Sequence, residues 1–184
     1  MPLLPFIPQK RIKTMTAFLD LAAARYSVRS FCPRAVEPEK LAQVLSAARL
    51  APTACNNQPQ RIKVVSDPAD LAKIDECTPC RFGAPVVLLV CYDKTVCWRH
   101  PENNALISGA IDAAIVTTHL TLAAKDIGLG SCWVMKFDVA KTAKIFALPE
   151  NFVPVAMLPI GYPAADAAPS DRHGARFDVE KILF

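Results

Sequence analysis

The 184-residue chain has no apolar run approaching the roughly 20 residues that a membrane-spanning helix needs. It has no concentrated stripe of lysine and arginine either. The net charge is only +4 and the basic residues are scattered, which argues against a nucleic-acid surface and leaves room for a small anionic ligand. The polar excess of a disordered chain is missing, with 52% hydrophobic against 21% charged residues, and the length suffices for one domain with a sizeable core. A dense disulfide framework is also missing. The seven cysteines are odd in number and spread through candidate strands and helices, so a reducing cytoplasm is the simpler setting. The opening stretch MPLLPFIPQKRIK puts its charges after its apolar residues and three prolines among them, the wrong order for a secretory signal. It reads as a flexible arm over residues 1–14, with Met15 a candidate alternative start and a single domain over 15–184. No internal repeat or linker divides the chain.

What is present begins at Thr16, where Phe18, Leu19, Leu21 and Ala22 predict a short helix with one apolar face. It runs into Arg25-Tyr26-Ser27-Val28-Arg29. Two guanidinium forks four residues apart with a hydroxyl between them can grip a phosphate through paired charge-assisted hydrogen bonds, although surface arginine pairs are more often merely solvated. Pro38 at a first helical position and acids at Glu37 and Glu39 then start a helix whose Leu41, Val44, Leu45 and Ala48 follow the core-facing repeat.

This helix delivers the chain into Leu50 to Arg61, LAPTACNNQPQR. Thr53, Asn56, Asn57 and Gln58 cluster there between Pro52 and Pro59, and the pre-proline residues Ala51 and Gln58 are predicted to be extended. Read alone, the stretch is a stiff polar loop that satisfies itself. Beyond it, Ile62 to Ser66 predicts a strand and Asp67-Pro68 a short helix through Ile74. Val86 to Tyr92 is an unbroken apolar run, as in a strand buried on both faces.

Asn103 to Asp126 is apolar round most of its circumference and predicts a central buried helix, with His119 a core or interface histidine rather than a ligand. It should close at Gly128-Leu129-Gly130, where glycine can take the left-handed turn. Ser131 to Met135 is short and extended, Asp138 caps a helix to about Ala147, and Val155 to Ile160 is a last core strand. The remainder is too polar for core until Val179 to Phe184, a tail that must pack on something else, such as a partner subunit.

Four of these stretches, in this order, resemble FMN-dependent nitroreductases. Arg25-Tyr26-Ser27-Val28-Arg29 resembles their RxSxR element. Ala51 to Pro59 resembles their APSxxNxQPW loop, with Thr53 replacing serine and Gln60 the usual tryptophan. Gly128 to Trp133 is similar to GLGxxW, and Leu158 to Pro163 to a late strand ending in GYP. The resemblance covers Thr16 to the carboxyl end. It implies an α+β fold, a mixed β-sheet wrapped by helices, in an intertwined homodimer that holds FMN at the subunit interface. Carried over by position, Arg25 and Ser27, with Tyr26 between them, contact the flavin phosphate or ribityl chain, and Arg29 the pyrimidine edge near N1 and O2. Pro52, Thr53 and Ala54, with Asn56 beside them, border the flavin of the other subunit. Trp133, Val134, Met135 and Lys136 lie along one side of the ring, with a main-chain N–H of Met135 or Lys136 near N5. Arg176 is the preferred second phosphate ligand and Arg172 the reserve.

The resemblance further implies an oxidoreductase that passes a hydride from NAD(P)H through flavin N5 to a flat electron-poor acceptor such as a nitroaromatic or quinone, by ping-pong exchange. No dedicated acid or base is apparent, and no basic residue is assigned to a nicotinamide 2′-phosphate. The cysteines leave alternatives. Cys77-Thr78-Pro79-Cys80 has the spacing of a redox pair or half a metal site, and Cys91, Cys97 and His100 follow. Plain structural thiols, redox thiols and a metal cluster are the three readings, in falling order, and no metal ligand set is assigned. The competing function is a non-catalytic flavin-binding or redox-sensing module that uses Cys77 and Cys80.

Overall fold

The computed structural model describes residues 17–103 and 107–184; the proposed arm and alternative start lie outside them. In chain order the elements are α1 (Ala17–Ala24), α2 (Pro38–Leu50), β1 (Gln60–Val65), α3 (Pro68–Cys77), β2 (Val86–Asp93), α4 (Gly109–Asp126), β3 (Gly130–Ser131), α5 (Val139–Ile145) and β4 (Phe152–Gly161). The strands form one sheet in the order β1-β2-β4-β3, with every neighbouring pair antiparallel. The parallel component of the expected mixed sheet is the bridge between Ser27 and Ser131, closed by Val28 N–H donating to the Ser131 carbonyl at 3.0 Å.

The apolar run of β2 works on both faces, because successive strand side chains point to opposite sides. Val86, Leu88 and Val90 join α2 and α4 residues such as Val44, Val116 and Leu120 in one core layer. Val87, Leu89 and Cys91 join Ile74, Val134 and Met157 in the other. The register slips between Val90 and Cys91, opposite Pro154, a residue without the N–H that the ladder uses.

The central helix starts later than its sequence pattern predicts. It begins at Gly109 rather than Asn103, because the chain ahead of it pairs instead of coiling. Arg99 bridges Ile107, Ser108 N–H donates to the Trp98 carbonyl at 2.9 Å, and Trp98 N–H donates to Ser108 Oγ at 3.1 Å. The helix end matches the sequence. Gly128 has φ +80°, Leu129 N–H donates to the Ala124 carbonyl at 2.8 Å, and Gly128 N–H donates to that of Lys125 at 3.1 Å. The apolar face expected of α1 is only partly covered, with Leu21 and Ala22 half-buried but Phe18 61% and Leu19 48% exposed, and the tail from Phe177 to Phe184 is exposed throughout.

The start of α2 is latched to the end of β4. Tyr162 Oη donates to Glu37 Oε2 at 2.6 Å, Lys40 Nζ donates to Tyr162 Oη at 2.9 Å, and the Arg34 guanidinium lies 4.1 Å over the Tyr162 ring while pairing with Glu37. The tyrosine hydrogen bond holds the Glu37 carboxyl down from 4.5 to about 2. A carboxyl lowered on folding contributes stability above its unfolded pKa and loses it as pH falls towards the folded one. Tyr162→Phe is therefore expected to be less stable than wild type at neutral pH, with the gap closing from pH 4.5 down to about 2. Denaturant melts at stepped pH measure this, and a gap independent of pH in that window would refute the latch.

Candidate functional site

The segment after α1 turns back across the sheet end and the chain beyond β4 folds over it. Ala164 N–H donates to the Ser30 carbonyl at 3.0 Å, the Tyr26 ring meets His173 edge-on at 6.1 Å, and a His173 ring nitrogen lies 3.0 Å from the Ala23 carbonyl. This brings the two arginine groups predicted from distant stretches together. Arg25, Tyr26, Ser27 and Arg29 line a cavity of about 170 Å³ with Ser170, Arg172, His173 and Arg176. No carboxylate lines it, and among the described residues none of its arginines makes an ion pair. Arg176 donates only to main-chain carbonyls, those of Ala175 and Arg172, and Arg29 to that of Ser27. A concave cluster of uncompensated guanidinium groups suits an anion with several oxygens.

The polar loop is shaped differently from its prediction. Ala51 is extended, at φ −66° and ψ 131°, but Gln58 is not: its φ is +50°, and Cys55 and Asn56 are also left-handed, at +52° and +54°. Proline-imposed extension loses at Gln58 to two hydrogen bonds, Gln58 N–H to Thr53 Oγ1 at 3.1 Å and Gln58 Nε2 to the Asn56 carbonyl at 3.3 Å. Left-handed backbone at residues other than glycine costs energy and needs outside support. That support comes from α4, where the Asp112 carboxylate, 1% exposed, accepts Ala54 N–H at 3.0 Å and the Ser108 hydroxyl at 2.6 Å. Asn57 Nδ2 adds a bond to the Val96 carbonyl at 3.0 Å. Ala54 faces an apolar cavity of about 350 Å³ with Trp98, Ile107, Ile111 and Ile115, separate from the arginine cavity. Ala54 and Arg25 therefore border different cavities of the one chain; Asn56 is exposed on the same loop as Ala54.

Trp133 to Lys136 follows β3. Val134 exchanges both main-chain hydrogen bonds with Met157, at 2.9 and 3.0 Å, and buries its side chain in the core, so only its backbone can border a ligand. Met135 is 69% exposed. Among the described residues the N–H groups of Met135 and Lys136 donate to nothing, and the buried Trp133 Nε1 has no partner.

All seven cysteines are free. Cys77 is buried in the core layer that Cys80 packs against, so Cys77 behaves as structural bulk. Burial pushes the Cys91 thiol up to about 12 and that of Cys132 above its ordinary value. Among the described residues no three His, Cys, Asp or Glu side chains gather in a metal-holding group. His119 lies along α4, a ring nitrogen 2.9 Å from the Ile115 carbonyl. Sequence reasoning singled out neither Asp112, on the central apolar helix, nor Ser170 and His173. The signal for Asp112 was a carboxylate on the face that the apolar spacing assigns to the core.

An arginine-lined cavity and, among the described residues, two unspent main-chain N–H groups beyond a short strand are donors suited to an anionic, hydrogen-bond-accepting ligand. The chain belongs to the nitroreductase family, whose model matches residues 22–78 and 79–162. It is 36% identical to a nitroreductase family protein from Clostridium difficile 630, with a TM-score of 0.86 over 92% of this chain and 98% of that one. It is 30% identical to an NADH dehydrogenase of Thermus thermophilus, over 82% of this chain and 89% of that protein. It is also 30% identical to an FMN reductase (NAD(P)H) of Bacillus subtilis, over 79% of this chain and 66% of that protein.

Asp112→Ala removes the acceptor of two donors and is expected to cost about 2 to 3 kcal/mol in chemical denaturation, since hydrogen bonds to a buried charge are strong. An unchanged midpoint would mean that the loop holds its shape without α4.

Proposed function

We propose that the protein is an FMN-dependent oxidoreductase that takes reducing equivalents from NAD(P)H and delivers them to a flat electron-poor acceptor, a nitroaromatic or quinone, in ping-pong order. The observation that carries this reading is the arginine cavity. Its guanidinium groups come from opposite ends of the chain and have no counter-ion among the described residues, which fits the phosphate of FMN. FMN supplies the hydride chemistry at N5 when bound. Arg25 and Ser27 hold its phosphate and ribityl chain, with Tyr26 packing alongside. Arg176 is the further phosphate ligand and Arg172 stands beside it. The Arg29 cation lies by the pyrimidine edge, where it favours negative charge near N1 and O2. Met135 and Lys136 present their unspent N–H groups towards N5, with Trp133 and the Val134 backbone along the ring.

A second feature supports an intertwined homodimer. Ala54 lines a cavity separate from that of the arginines, and this second cavity is flanked by Ile111, 58% exposed. Pro52, Thr53 and Ala54, with Asn56, serve the partner's cofactor in this arrangement, and the exposed tail packs on the partner. No helix among the described residues is long and apolar enough to cross a membrane. We place the protein in a reducing cytoplasm, where seven unpaired thiols persist.

The purified protein should carry a flavin absorbance that bleaches on anaerobic addition of NADH or NADPH and returns with an acceptor. A protein that binds no FMN would sink the reading, and one that binds FMN but is reduced no faster than free FMN would be a sensor. Arg25→Ala should weaken FMN binding about tenfold or more in equilibrium dialysis, through loss of a charge-assisted phosphate contact. Full occupancy after dialysis would refute this phosphate assignment.

A further inference from the structure

The loop between Cys77 and Cys80 is bound to the segment that carries the two free N–H groups. Asp138 N–H donates to the Cys77 carbonyl at 3.1 Å, and Lys141 Nζ donates to that of Glu76 at 2.9 Å. Between them stands Thr78, 2% exposed. Its hydroxyl donates to the Lys136 carbonyl at 2.6 Å and accepts Cys80 N–H at 3.1 Å, so its one proton is committed to Lys136.

A trans peptide is planar and points its carbonyl and its N–H in opposite directions, and no cis peptide occurs among the described residues. The Lys136 carbonyl fixed by Thr78 therefore aims the N–H at the other end of that peptide, Phe137 N–H. This donates to the Met135 carbonyl at 3.0 Å in a three-residue turn. The Met135 carbonyl so fixed aims the N–H of its own peptide, that of Lys136. Two planar groups thus connect a buried hydroxyl to one exposed donor. Met135 N–H is set by a different anchor, because its peptide carbonyl, Val134, accepts Met157 N–H at 3.0 Å. The two donors are aimed independently, one from β4 and one from the 77–80 loop.

We propose that Thr78 is a positioning residue for the reaction: it aims Lys136 N–H at the cofactor ring without touching cofactor or substrate. The inference rests on the placement of the Met135 and Lys136 N–H groups beside flavin N5. A donor held in place before reaction stabilises charge developing on its acceptor, and small misalignments are costly.

The test follows backbone amides by NMR while flavin-free protein is titrated with FMN, and measures the affinity of the loaded protein for sulfite, which adds at N5. In wild type both amides should shift on FMN binding. In Thr78→Val, which keeps the side-chain shape, Lys136 should lose most of its shift while Met135 keeps its own, and sulfite binding should weaken about tenfold. Thr78→Ser, which restores the hydroxyl, should restore both readouts. Should Thr78→Val fail to fold, Thr78→Ala removes the same hydroxyl with less bulk. Equal Lys136 shifts and sulfite affinities in wild type and variant would overturn the proposal while leaving the site intact. If neither amide shifts in wild type, the placement of the site itself is wrong and the proposal falls with it.

Discussion

The antiparallel pairing of β2 with β4 is the constraint on which the rest of the molecule depends. Both strands lie inside the sheet and pack on two sides, so every β2 residue from Val86 to Cys91 is buried in one of two apolar layers. One layer fixes α4 and through it Asp112, which holds the polar loop. The other fixes α3 and the start of the segment after β3, and so sets Cys77, Thr78 and Val134. The residues proposed for the site are therefore referenced to one pair of strands. The loops carry the residues proposed for the chemistry, and the strands set where those loops lie.

Much of this was legible in the sequence. Continuous apolar character identified β2, i, i+3, i+4 spacing identified α2, and Gly128 marked the end of α4, because each signal is local. Arg25 and Arg29 could be named from a motif, and Arg172 and Arg176 only by their position in the tail, yet their meeting in one cavity depends on a tertiary fold-back carried by Tyr26, Ser30, Ala164 and His173, which no local pattern encodes. The start of α4 was misplaced for a related reason. Helical periodicity continues upstream of Gly109, but the pairing of Trp98 with Ser108 claims that backbone first.

Gln58 shows the limit of a steric rule. Proline at the next position disfavours anything but an extended conformation. Here the side-chain and main-chain hydrogen bonds of Gln58 curl the loop back on Thr53 and Asn56, and hydrogen bonding within the loop overrides the steric preference. Thr78 was illegible for the opposite reason. It sits between two cysteines whose spacing points to sulfur chemistry, whereas the contact across to Lys136 is made by the hydroxyl.

The three left-handed residues Cys55, Asn56 and Gln58 also bear on how this chain can vary. At such positions an L side chain is a poorer local fit than glycine, so replacement by glycine relieves strain in the native state. The same replacement enlarges the conformational freedom of the unfolded chain and slackens the loop. Relief of native-state strain and stiffness of the loop thus pull in different directions over a few adjacent residues.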